Sequence, residues 1–115
     1  MERNLIYYRN ELKNKTVPKY KIMGITSEMI LSKEIFRRNT DVIPFLKKVF
    51  SIEYKHYVIL SRTMIVARTI LLVSKSDEHE YKQIKNNLFK VVELMIQEMK
   101  KENDSTKNEF NGWLS

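Results

Sequence analysis

The residues through which this chain could do chemistry are two histidines, one run of acids and a cluster of cations. His56 and His79 lie 23 residues apart, far from the short ligand spacing of a zinc site, so no metal is expected. Glu78, His79 and Glu80 are consecutive and point in different directions if helical; two acids in a first helical turn are explained by the helix dipole. Both glycines, Gly24 and Gly112, stand alone, which excludes a phosphate-cradling loop, a dinucleotide fingerprint and a nucleophile elbow. None of the serines has a local set of partners that would activate it. The absence of cysteine removes disulfides, thiol chemistry and cysteine-ligated zinc. The expectation is a non-enzymatic protein without a cofactor.

The cations are the remaining feature. Net charge is +7, with +9 over residues 1–76 and −2 over residues 77–115. Lys33, Arg37, Arg38, Lys47 and Lys48 fall on two short expected helices joined by a break at Asn39–Asp41. Two helices with a basic face have the general form of a helix-turn-helix. Pro44, however, sits where a reading helix would present side chains to bases, and lysines hold phosphate better than they discriminate bases. These residues, with Arg62 from the following helix, are therefore expected to touch nucleic-acid phosphates, DNA in preference to RNA, in a small regulatory protein that acts as a homodimer.

The element that must position them is the most apolar stretch, Tyr54–Ser76. Its polar residues recur every seven positions, as Ser61, Arg68, Lys75 and as Arg62, Thr69, Ser76, which suits a helix. The spacing predicts one long central helix over about residues 54–76, enclosed by others because nearly all its circumference is apolar. Val58, Ile65 and Leu72 run down the middle of its polar stripe. An apolar seam flanked by Arg68 and other long basic side chains is the geometry of a helix–helix contact. The alternative function is thus a protein-interaction adaptor or inhibitor, presenting this seam or the aromatic residues Phe110, Trp113 and Leu114 near the C-terminus.

Around that helix the sequence predicts an all-α bundle of about five helices. Leu5, Tyr8 and Leu12 mark a first amphipathic helix, ended by the segment leading to Pro18. Residues 19–23, KYKIM, alternate in polarity and read as an extended connector. Thr26 or Ser27 is a candidate N-cap for a helix reaching Arg38. Val42, Phe45, Leu46, Val49 and Phe50 form the inward set of the next helix. Asp77 and Glu80 have capping-box spacing, opening an amphipathic C-terminal helix over about residues 78–102. Residues 1–102 then make one domain and residues 103–115 a flexible tail. The N-terminus lacks a secretory pattern, and Arg62 and Arg68 interrupt the only apolar run of membrane length. An intracellular, cytoplasmic protein without a membrane span is expected.

Overall fold

A computed structural model of the chain describes the backbone of residues 2–114 and the side chains of residues 3–102. Among the described residues the elements are α1 (Glu2–Leu12), α2 (Lys19–Leu31), a 3-10 turn (Asn39–Asp41), α3 (Val42–Phe50), α4 (His56–Ile59), α5 (Arg62–Lys75) and α6 (Glu78–Leu114). The fold is all-α. Its principal extents are 57 × 36 × 18 Å, and the shortest is close to two helix diameters of about 10 Å each. α6 carries α1 and α3 along its length, while α2 packs against α5.

Several elements arise directly from their periodicity. All five residues of the expected inward set of α3 are buried: Val42, Phe45, Leu46, Val49 and Phe50. On α6 the buried residues Ile84, Leu88, Val92 and Ile96 step by four and make one stripe. α1 buries Leu5, Tyr8 and Leu12. The α6 start is the capping box read from the sequence: the Glu80 amide donates to Asp77 Oδ1 at 2.8 Å and the Asp77 amide to Glu80 Oε1 at 3.3 Å. The hydrogen bond from the Glu80 amide holds the Asp77 carboxyl below the ordinary aspartate range. α6 is longer than the expected 78–102, its backbone continuing helical to Leu114; no proline interrupts it, and its only glycine, Gly112, lies at its end.

The long central helix is not found. Residues 54–76 are divided by Ser61, whose extended backbone (φ −130°, ψ 115°) caps α5 while its hydroxyl accepts from the Met64 amide. A serine at this point satisfies one of the unpaired amides at the start of a helix, so two helices replace one. α5 buries a single stripe, Ile65, Thr69 and Val73, and leaves its opposite face in solvent. Among the described residues no helix is long and apolar enough to cross a membrane.

The connector expected at residues 19–23 is also absent. Pro18 (φ −69°, ψ 155°) is the N-cap of α2, and its carbonyl accepts from the Lys21 amide at 3.0 Å. Proline at a helix start restricts the residue before it and leaves the first turn free to form. Thr26 and Ser27 are therefore inside the helix, where the Ser27 hydroxyl donates back to Met23 O at 2.6 Å. α2 ends at Leu31, not Arg38, and Ser32 turns the chain into a loop in which the Phe36 amide donates to Ser32 O at 2.9 Å.

α2 and α5 run antiparallel and are clamped at both ends by cations reaching the other helix's last carbonyls. Lys19, at the start of α2, donates to Ser76 O at 2.6 Å and Ser74 O at 3.2 Å. Arg62, at the start of α5, donates from Nη1 to Ile30 O at 2.6 Å. A cation at a helix C-terminus both fills unpaired carbonyls and opposes the negative end of the dipole. The same guanidinium donates from Nε to Asn39 Oδ1 at 2.7 Å and from Nη2 to Phe36 O, so one side chain fixes the end of α2 and the loop after it. Asn39 passes the connection on, its Nδ2 donating to Ile59 O at 2.9 Å.

Candidate interaction surface

The six cations proposed from the sequence do not act alike. Lys33, Arg37 and Arg38 are exposed on the irregular segment between α2 and the 3-10 turn, not on a helix. The Arg38 backbone amide donates to Asp41 Oδ2 at 2.9 Å, which shapes that turn without using the guanidinium. Lys47 and Lys48 project from the solvent side of α3, with Lys47 Nζ 3.6 Å from Glu53 Oε1. Arg62 is removed from the set, because its guanidinium is spent on internal acceptors in Ile30, Phe36 and Asn39. The helix-turn-helix form is lost with it, since a loop and a 3-10 turn separate α2 from α3.

The expected partner seam is likewise turned inward. Val58 and Ile65 are buried and Leu72 is half-buried against the core. The reason is the polar stripe itself. Placing Arg62 and Thr69 inside, where they find acceptors, carries the seam lying between them inside too. Thr69 is fully buried, with its hydroxyl donating to Ile65 O at 2.7 Å and accepting from the Tyr54 hydroxyl at 2.9 Å. Burial raises the Tyr54 pKa above its ordinary value, which keeps that proton in place. Phe110, Trp113 and Leu114 lie outside the residues whose side chains are described.

Part of what α5 turns to solvent is apolar. Met64, Ala67 and Leu71 occupy one face at positions i, i+3 and i+7, all exposed, and Leu60 stands exposed at the turn leading into it. Leu60 is 67% exposed and Leu71 52%, values that decide the matter because a core helix would hide them. Tyr57 of α4 extends the patch. The Arg68 guanidinium carbon sits 5.6 Å from the centre of the Tyr57 ring, and Nη2 donates to its hydroxyl at 3.2 Å. A cation over a tyrosine face at this separation is an attractive contact, so Arg68 is held at the edge of the patch. The whole stretch from Tyr54 to Ser76 contains no aspartate or glutamate, and its exposed charges, Lys55, Arg68 and Lys75, are all positive.

Sequence reasoning misses this face, although Met64, Ala67 and Leu71 have helical spacing. The signal is masked by the second apolar stripe on the opposite side of the same helix. Among the described residues no three His, Asp or Glu side chains come together in a way that could hold a metal ion. In comparisons with known proteins, the chain matches no family model, no curated protein and no solved structure.

Proposed function

We propose that the chain is a non-enzymatic interaction protein whose outward α4–α5 face docks on a second polypeptide. The observation that carries this reading is the exposed row Leu60, Met64 and Leu71 beside Tyr57 and Arg68. Large apolar side chains grouped on one helix face and rimmed by charge mark protein contacts, and Tyr and Arg are enriched among residues that anchor them. The exposed charges along Tyr54–Ser76 are all basic, so the best-fitting partner presents an amphipathic helix with acidic flanks. A second copy of the chain fits less well. In an antiparallel pairing about a two-fold axis each basic flank meets its own copy, and Arg68 faces Arg68.

The test compares the wild type with a Leu60→Ser/Leu71→Ser double variant. An acidic partner captured by the wild type and lost by the variant supports the reading. Equal capture by both overturns it, as does a wild-type dimer by light scattering that the variant dissociates, which would put a second copy on the face.

A second reading keeps the polyanion. Lys33, Arg37, Arg38 and Lys48 are exposed, and four neutralised phosphates would give log K against log salt a slope of about −3.6 on duplex DNA. Titration with labelled duplex at rising salt tests it, and no retardation at low salt would remove it.

A further inference from the structure

We propose that the groove between α1 and α2 binds a cationic side chain, an arginine presented by a partner protein. The proposal stands apart from the α4–α5 surface. In a molecule of net charge +7, this groove gathers tyrosines and carboxylates. α1 contributes Tyr7, Tyr8 and Glu11, and α2 contributes Tyr20, Gly24, Ile25, Glu28 and one cation, Lys21. Two adjoining clefts share Tyr7, Tyr8 and Glu28; the one under Tyr20 has a volume of about 190 Å³ and the other opens towards Leu31.

Tyr7 and Tyr8 meet edge to face, their ring centres 6.1 Å apart at 65°, and Tyr20 is 71% exposed across the groove. The Tyr8 hydroxyl donates to Glu28 Oε2 at 2.6 Å. Burial and this hydrogen bond push the Tyr8 pKa well above its ordinary value, and the hydrogen bond orients the carboxylate. The neighbouring carboxylate, Glu11, already holds Lys21 Nζ at 2.9 Å. Among the described residues no cation pairs with Glu28, which faces solvent with Oε1 open. A guanidinium suits such a place: it is planar, stacks on tyrosine faces and forms charge-assisted hydrogen bonds to a carboxylate.

Gly24 adds an independent observation. It lies within α2, where glycine is less favourable than alanine by about 1 kcal/mol, yet a Cβ built there meets no heavy atom within 4 Å. Packing in the free protein therefore does not require it. In the groove, the missing side chain leaves the space that an incoming one would fill.

The experiment is an amide NMR titration of the full chain with a blocked Gly-Arg-Gly peptide and with its citrulline counterpart, a neutral near-isostere. Saturable shifts are expected at Tyr7, Tyr20, Gly24 and Glu28 with arginine, about tenfold weaker with citrulline. Glu28→Gln keeps an acceptor for Tyr8 but removes the charge, and is expected to weaken arginine binding about tenfold. Gly24→Leu should abolish the saturable shifts with helix content retained. The Leu60→Ser/Leu71→Ser variant should bind the peptide like the wild type. No saturable shifts in the groove, equal binding of citrulline, or unchanged binding by Glu28→Gln or by Gly24→Leu would each overturn the proposal.

Discussion

α5 and α6 lie in the same fold and divide their residues by opposite rules. α6 is the conventional amphipathic helix: Ile84, Leu88, Val92 and Ile96 are inside, while Lys82, Lys90 and Glu98 are outside. α5 takes polar groups inward with its apolar ones, Arg62 to three acceptors and Thr69 to two partners, and leaves Met64 and Leu71 in water. The difference teaches that an apolar helix is oriented by its polar residues. Burying Leu71 in place of Val73 exchanges one hydrophobic contact for another of similar worth. Leaving Ile30 O and Phe36 O without donors costs about 1–3 kcal/mol for each such group that is buried.

Substitutions can break this contrast, beginning with the largest effect. On α6, Leu88 is fully buried, and Leu88→Ala should lower unfolding free energy by about 3–4 kcal/mol in urea titration. On α5 a comparable loss is expected from a polar position: Arg62→Ala should cost about 3 kcal/mol, because several acceptors lose a charged donor at once. Arg62→Lys should recover about half of that, since an ammonium cannot reproduce the planar fork. A loss below about 1 kcal/mol for Arg62→Ala would place Arg62 on the surface and remove the distinction between the helices.

Two buried threonines sharpen it. Thr69→Val removes a hydroxyl with two partners and should cost about 1–2 kcal/mol, whereas Thr26 Oγ1 is buried without a partner, so Thr26→Val should gain about 1 kcal/mol. The smallest change is expected where sequence patterning alone would forecast a large one. Leu71→Ser should alter stability by less than about 0.5 kcal/mol while disrupting partner capture.

Legibility tracks the range of the interactions. The Asp77/Glu80 box, the inward face of α3 and the stripe of α6 are local patterns, and the residues that make them lie within a few turns of one another. The orientation of α5 cannot be read that way. The helix carries apolar residues on two nearly opposite sides, Ile65 and Val73 on one and Met64, Ala67 and Leu71 on the other, so periodicity favours neither. The choice rests on acceptors 32 and 26 residues before Arg62, for which the sequence carries no sign. The same holds for KYKIM, helical because Lys19 and Ile22 meet α5 and the core, and for Ser61, which reads equally as a polar position within a helix or as a cap. Periodicity therefore singles out a side of this stretch that the fold buries, and leaves unmarked the side that faces solvent. The α1–α2 groove depends on two helices meeting and leaves no trace in either alone.

The orientation of α5 can be measured directly because the chain has no cysteine. Single Leu71→Cys and Val73→Cys variants of the purified protein would be labelled with a thiol reagent under native conditions, each compared with its own rate in denaturant. Leu71→Cys is predicted to react at close to its unfolded rate. Val73→Cys, at a fully buried position, should be slowed by about a thousandfold or more because it must await unfolding. Equal protection of the two thiols, or protection of position 71 with free reaction at 73, would contradict the account.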